Sequence, residues 1–337
     1  MRRAYITGTA GFIGFHLARL LLDQGWRVHG FDGMTDYYDI TLKRRRHAIL
    51  MQSPGFSATE ARLEEAETLL ADVAGFRPDV IIHLAAQAGV RYSLEAPRSY
   101  ISANVEGTFN VLEAAREAAV QHLLVASTSS VYGANESMPF RETDKADTQV
   151  SLYAATKKAG EALSHSYAHL HGIPTTAFRF FTVYGPWGRP DMALFKFTRA
   201  ILAGKPIDVY GHGKMFRDFT YVTDLVRAIA LLIDAVPERP ATPGDIAEGD
   251  SLSPAAPWRV VNIGNGEKVA LGDFIEAVEA ATGRKAQRNL MEMQKGDVEA
   301  TWADNALLQR LTGYRPETRL PEGVRAFVEW YRDYYQI

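Results

Sequence analysis

Apolar positions along the first half of this chain alternate between short continuous blocks and helical spacing. Ala4-Tyr5-Ile6-Thr7 is a short apolar strand that runs straight into a turn from Gly8 to Gly14. Phe12, Leu17, Leu20 and Leu21 then fall on one face of a helix. Val28 to Asp32 is the next strand and ends in an acid. Phe56 to Leu63 reads as a third strand, and Glu64 to Val73 as a helix. Asp79 to Ala86 is a near-continuous apolar run, as expected of a strand covered on both faces. A helix over about Ala103 to Ala119 precedes the apolar run Leu123 to Ala126. A helix over Leu152 to His171 follows, and Thr175 to Phe181 is another strand. Strands alternating with helices predict an α/β fold built on a parallel, doubly wound sheet.

Beyond Pro190 the pattern loosens. Asp191 to Ala203 reads as helix, Ile207 to Tyr210 as a short strand, and Asp224 to Ala235 as helix. Val260 to Ile263 is a strand, with helices near Leu271 to Thr282, Asn305 to Leu311 and Pro321 to Tyr335. Val236 to Pro257 is rich in Pro, Ala, Gly and acids and has no periodicity. It reads as an exposed loop and a candidate for disorder. These elements divide the chain into residues 1–182, with segments near 219–235 and 258–265 returning to them, and a smaller α/β region, mainly 183–337. A cleft between the two, at the carboxyl ends of the strands, is the expected site.

Composition narrows the function classes. The chain has 337 residues, 47% hydrophobic and 23% charged, with a net charge of −3, so no basic excess points to nucleic acid. No apolar stretch reaches membrane-spanning length, and the first strand begins by Ala4, leaving no room for a signal peptide. A cytoplasmic protein is expected. The run Lys43-Arg44-Arg45-Arg46-His47 reads as a solvated helix face, although Lys43 could point inward. With no cysteine there is neither disulfide nor thiolate metal site, and no metal is expected.

The first strand, glycine turn, helix, second strand and acid form a dinucleotide-binding βαβ unit, which makes the sheet Rossmann-type. Gly8, Gly11 and Gly14 permit a tight turn and close approach to a pyrophosphate at the helix amino end. Asp32 can accept hydrogen bonds from ribose hydroxyls and would repel a 2′-phosphate, which favours NAD over NADP. Small residues at Ala85, Ala86 and Gly89 would let backbone lie close to a cofactor, whereas His83 reads as a packed core histidine. The hydroxyl cluster Ser127-Thr128-Ser129-Ser130 stands at the carboxyl end of a buried strand. Tyr153 and Lys157, four apart on a helix, share one face. An ammonium beside the tyrosine would lower its pKa and make a general base.

These motifs together resemble the extended short-chain dehydrogenase/reductase family, and within it the nucleotide-sugar 4-epimerases. They are Gly8-x-x-Gly11-x-x-Gly14, Asp32, His83-Leu84-Ala85-Ala86, Asn104-Val-Glu-Gly107-Thr108, the Ser/Thr run before Val131-Tyr132-Gly133, and Tyr153-x-x-x-Lys157. Arg179-Phe180-Phe181, Tyr184-Gly185-Pro186, Arg217-Asp218-Phe219 and Gly296-Asp297 continue the series over nearly the whole chain. Ala88 to Ser93 and Phe181 to Met192 look like the branch that acts on UDP-glucuronate.

The resemblance implies a tightly held NAD, regenerated in each cycle, and a homodimer. Cofactor contacts are implied for Gly8, Gly11, Phe12, Ile13, Gly14, Asp32 and Lys43, then for Leu84, Ala85, Ala86, Asn104, Tyr153, Lys157 and Phe180. Tyr153 would take the proton of the sugar's 4-hydroxyl, Thr128 would bind the same oxygen, and Lys157 would hold the nicotinamide ribose. The implied product is UDP-galacturonate, by way of a 4-keto sugar that turns over in the site. Such a β-keto acid loses carbon dioxide readily, so its carboxylate must be gripped by neutral or cationic donors. Ser129, Ser130, Thr182 and Arg189 are of suitable type, and no acid follows Thr128. Ser130 reads equally well as a turn cap. Arg91 would touch the substrate or order the loop above the cofactor. Arg217 would meet the diphosphate, Asp297 the uridine ribose, and Val209 the uracil. Two features depart from the family pattern: Arg62 stands where an acid usually reads adenine, and Gln294 replaces an arginine of galactose-type enzymes. Alternative readings are epimerisation of a neutral UDP-sugar and a non-catalytic NAD sensor.

Overall fold

Seven strands form one parallel sheet in the computed structural model, which describes residues 1–294 and 298–337. Asp297, and Gly296 beside it, lie outside the described residues. The strands are β1 (Arg3–Thr7), β2 (Arg27–Asp32), β3 (Phe56–Glu60), β4 (Val80–His83), β5 (His122–Thr128), β6 (Thr175–Phe180) and β7 (Trp258–Ile263). Their spatial order is β7-β6-β5-β4-β1-β2-β3. The order reverses between β1 and β4, and there the carboxyl ends of the strands open a crevice. Every residue of β4 and β5 is buried, which explains their unbroken apolar runs.

The longer helices between the first six strands are α1 (Phe12–Asp23), α2 (Ile40–Leu50), α3 (Ala66–Phe76), α4 (Gly107–Ala118) and α5 (Leu152–His171). A π-helical turn, Ser102–Glu106, leads into α4. The run over Asp79 to Ala86 is a strand only as far as His83. Leu84 and Ala85 leave it with their N–H groups turned to the Thr7 hydroxyl, each at 3.1 Å.

The basic run on α2 is only partly a solvated face: Lys43 points inward, as the sequence allowed, and Arg46 departs from the expectation. Lys43 is buried, and Arg46 is completely buried. Arg46 donates from Nη1 to the Ala10 carbonyl and to the Tyr38 hydroxyl, both at 2.9 Å, and from Nη2 to the Trp187 and Gly188 carbonyls. It ties the glycine turn to the loop after β6. Oxygen acceptors at both terminal nitrogens offset the burial of the guanidinium, although its Nε has no partner among the described residues.

Further along come α6 (Ala193–Leu202), α7 (Val222–Leu232), α8 (Leu271–Thr282), α9 (Ala306–Thr312) and α10 (Leu320–Tyr335). The side chains of α7 and α9 join the core that α1 shares with the sheet. A second core gathers Phe195 and Phe197 from α6, Phe274 and Val278 from α8, and Phe327 and Tyr331 from α10. Its Phe219 and Phe274 rings stack 4.3 Å apart.

The stretch over Val236 to Pro257 is mostly exposed as far as Gly249. From Asp250 onward it docks along β7, the edge strand of the sheet, whose unpaired backbone groups need cover. Asp250 makes a two-pronged pair with Arg259, at 2.9 and 3.2 Å, with both side chains at most 10% exposed. The Ser253 N–H donates to the Trp258 carbonyl at 2.8 Å, and Ser251 exchanges hydrogen bonds with the backbone of Val260. Polar residues without periodicity serve here as sheet-edge partners.

Candidate active site

Between the sheet's carboxyl edge and the second core lies a cleft of about 1560 Å³. Its floor is the glycine turn. Gly8 sits at φ +85° and donates its N–H to the Phe31 carbonyl at 2.7 Å. A side chain at Gly14 would put Cβ 2.1 Å from the Gly8 carbonyl oxygen, so only glycine lets α1 pack this closely on the turn. No side chain caps the amino end of α1. Gly11, Phe12 and Ile13 at that end line the cleft, an arrangement suited to a pyrophosphate.

Asp32 at the end of β2 lines the cleft and accepts the N–H groups of Ala10 and Met34, both at 2.9 Å. Its carboxylate is thereby aimed before any ribose arrives. Lys43 donates to the Thr35 carbonyl and hydroxyl at 2.6 and 2.9 Å, and burial holds its pKa below the usual range. Leu84, Ala85, Ala86 and Phe180 line the same chamber, as do Arg62 and Glu64, which pair at 3.3 Å. A glycine turn, an uncapped helix end and a pre-aimed carboxylate fit a dinucleotide. His83 is buried between the hydroxyls of Thr7 (2.8 Å) and Thr108 (3.0 Å), where burial and then the charge of Lys157 lower its pKa to about 3. It is a neutral structural group.

Asn104 is not part of the cleft wall. Its Oδ1 accepts the Gln87 N–H at 2.8 Å, while Nδ2 donates to the Gln87 carbonyl and to the Thr156 hydroxyl, both at 3.0 Å. It pins the loop after β4 to α5, the helix that carries Tyr153 and Lys157.

Ser151 caps α5 by accepting the Ala154 N–H at 3.2 Å, which sets Tyr153 and Lys157 in its first two turns, both lining the cleft. Thr128 ends β5, caps the following turn through the Ser130 N–H at 3.2 Å, and shares a hydrogen bond with Tyr153. Burial raises the Tyr153 pKa above its ordinary value. The Thr128 hydrogen bond and the charge of Arg189 oppose that rise. Here the arrangement differs from the expected lysine effect, because the opposing cation is Arg189. Lys157 is itself brought down to about 8 by burial, against the pull of Glu161 one turn on.

Glu161 belongs to a buried platform that the sequence reading missed. It accepts two hydrogen bonds from Arg179, both at 2.8 Å, one from Ser127 at 2.6 Å and one from Lys158 at 2.9 Å. Burial alone would raise its carboxyl, yet these partners hold it at about 2. The Arg179 guanidinium lies 4.6 Å over the Tyr132 ring, and the Tyr132 hydroxyl reaches Asn262 at 2.7 Å. The available signal was position: Glu161 is four residues after Lys157 on one helix.

Hydroxyl and basic side chains make up much of the remaining lining. Ser129, Ser130, Thr182, Arg91, Arg189 and Arg217 all line the cleft. Lys196 and Arg199 of α6 join them, from a stretch that the sequence marked only as helix. Arg189 is paired two-pronged with Asp191, and the Tyr37 hydroxyl donates to the same carboxylate. Arg91 lies 4.9 Å over the Tyr210 ring. Val209 is 1% exposed, packed in the second core; its neighbours Ile207, Asp208 and Tyr210 reach the cleft.

Comparison with known proteins follows the same outline. A family model described as the NAD dependent epimerase/dehydratase family matches residues 4–245. A protein of Rhizobium meliloti (strain 1021) named as a probable UDP-glucuronate 4-epimerase is 57% identical over 334 residues, which is 99% of this chain and 98% of that one. The crystal structure of UDP-glucuronic acid 4-epimerase from Bacillus cereus, in complex with UDP-glucuronic acid and NAD, has a TM-score of 0.86 at 31% identity, over 99% of this chain and 100% of that one. That of UDP-glucose 4-epimerase from Thermotoga maritima, with UDP-glucose, has a TM-score of 0.85 at 26% identity, over 99% of each chain.

Proposed function

The chain belongs to the NAD-dependent epimerase/dehydratase family, and from that membership we propose that it interconverts UDP-glucuronate and UDP-galacturonate by inverting C4 of the sugar. NAD, held on the glycine turn and Asp32, supplies the hydride acceptor and donor when bound. The observation that carries the uronate reading is the lining of the cleft. Arg189, Thr182, Ser129 and Ser130 all line it, and the turn after Thr128 contains no acid.

The chain's own groups account for the proton side of the reaction. Tyr153 takes the 4-hydroxyl proton and returns it after the sugar has turned. Thr128, hydrogen-bonded to Tyr153, holds the same sugar oxygen. Arg189 supplies the positive charge that favours the forming phenolate, and Lys157, on the same helix face as Tyr153, would hold the nicotinamide ribose. At the carboxylate, hydroxyl donors and a guanidinium favour the charged group without offering an acid to protonate it. Gripped there, the C5–C6 bond stays out of line with the C4 carbonyl, and the 4-keto acid is reduced again before it loses carbon dioxide. Arg91 and Arg217 meet the diphosphate. The Asp297 contact to the uridine ribose is kept as part of the proposal.

A neutral-sugar 4-epimerase is the second reading, favoured by the Thermotoga maritima likeness. Proton NMR of products formed from UDP-glucuronate and from UDP-glucose separates the two. UDP-galacturonate is the expected product, with UDP-glucose turned over far more slowly. Comparable rates on both would defeat the carboxylate argument. Tyr153→Phe should lower kcat by about 10² to 10⁴ while leaving UDP-sugar affinity in place.

No helix among the described residues is long and apolar enough to cross a membrane. The proposed setting is the cytoplasm and the proposed assembly a homodimer through α4 and α5. Phe109 on α4 and Leu170 on α5, 45% and 68% exposed, support that pairing.

A further inference from the structure

The arginine assigned to the sugar carboxylate already has a carboxylate. Arg189 Nε lies 3.0 Å from Asp191 Oδ1, and Nη2 lies 2.5 Å from Oδ2. The Tyr37 hydroxyl donates to Oδ2 at 3.1 Å, and the guanidinium lies 5.8 Å from the centre of the Tyr37 ring. All three residues line the cleft. The loop after β4 closes on them: a Cβ on Gly89 would stand 2.7 Å from the Tyr37 hydroxyl and 3.8 Å from Arg189 Nη2. Burial alone would raise the Asp191 carboxyl, but the charge and hydrogen bonds of Arg189, with the Tyr37 hydroxyl, hold it below the usual range. The pair is ionised at neutral pH.

A guanidinium has five N–H donors; Asp191 takes two, and the Tyr37 hydroxyl is a further hydrogen-bond partner. The two that remain suffice for a ligand, so Arg189 can hold a second carboxylate without releasing the first. That second carboxylate shares its cation with Asp191 and is repelled by it, which weakens the grip. The proposed reaction needs such a compromise. Between its two hydride transfers the 4-keto sugar must present its other face, and its carboxylate has to leave the donors that held it. An unshared, half-buried arginine would bind a carboxylate through a strong two-pronged contact and slow that exchange.

We propose that Asp191, oriented by Tyr37, is a positioning residue that fixes Arg189 in the cleft and loosens its hold on the sugar carboxylate, so that the keto sugar can turn. The inference rests on the uronate reading and deepens it.

Asp191→Asn, Asp191→Glu and Tyr37→Phe are compared with the unaltered enzyme, with Kd for UDP-glucuronate and UDP-glucose measured by calorimetry and kcat and KM by NMR. For Asp191→Asn, UDP-glucuronate should bind several-fold more tightly and kcat should fall about tenfold. UDP-glucose affinity should not change. Tyr37→Phe should move in the same direction by less, and Asp191→Glu should recover kcat. Weaker UDP-glucuronate binding by Asp191→Asn would reduce Asp191 to a shape-keeping role and overturn the proposal. Tighter binding with an undiminished kcat would overturn it too. If the unaltered enzyme converts no UDP-glucuronate, the functional reading falls as well, and that outcome is distinct from the other two.

Discussion

Lys157 and Glu161 show how much one buried charge depends on another. Burial draws the ammonium down to about 8, and the carboxylate one turn on is what keeps it from falling further. In Glu161→Gln that support is gone, so the Lys157 pKa drops and the alkaline limb of the kcat/KM profile moves to lower pH. The same change leaves the Arg179 guanidinium buried beside a neutral amide, which costs about 3 to 5 kcal/mol of folding stability, read from urea unfolding. A profile that keeps its alkaline limb in place would show that Glu161 does not act on Lys157. Tyr153, Lys157 and Thr128 were legible in the sequence because their types and spacing carry the chemistry. Glu161 was not, since its role comes from Arg179 and Ser127, which lie on neighbouring strands.

At the scale of elements, the glycine turn and α1 act as one piece. The turn is tight because α1 begins almost against it, and Gly14 is the point of closest approach. Gly14→Ala sets a methyl group 2.1 Å from the Gly8 carbonyl and must push the helix outward. The expected result is loss of bound NAD, measured by calorimetric titration, with about 1 to 3 kcal/mol of destabilisation. Undiminished NAD affinity would separate the turn from the cofactor. The helix α2 teaches a different lesson. A run of four consecutive cations looks solvated in one dimension, but two of its members, Lys43 and Arg46, point inward toward loops that only the fold brings near.

Over the whole molecule, Asp218 joins the two cores. It is completely buried, and its Oδ1 accepts the Asn265 N–H (2.7 Å) and the Thr220 hydroxyl (3.2 Å). Its Oδ2 accepts the N–H groups of Gly266 (2.9 Å) and Ala303 (3.1 Å). Burial raises its pKa to about 6 despite these donors. A carboxyl raised in the folded state contributes stability at low pH that is lost as the pH climbs from the ordinary carboxylate range through about 6. Asp218→Asn should flatten that part of the pH–stability curve. It should also destabilise by about 2 kcal/mol, because in either orientation the amide nitrogen meets at least one backbone N–H. Thermal unfolding across that pH range checks both effects, and an unshifted midpoint would remove Asp218 from this role.

What the sequence determined by itself was the α/β class, most of the strand and helix positions in the first 181 residues, and the chemical types in the cleft. Those depend on periodicity, glycine spacing and residue chemistry, which are local properties of a chain. Tertiary structure alone decided the rest. It buried Arg46, docked residues 250–257 on the open edge of β7, set Asn104 as a strut behind the wall, and turned Val209 into a core. It also gave Arg189 a partner two residues away and a third group, Tyr37, from the far side of the fold. Buried charges and open backbone groups must find partners, and which partner is near is settled only when distant segments pack together.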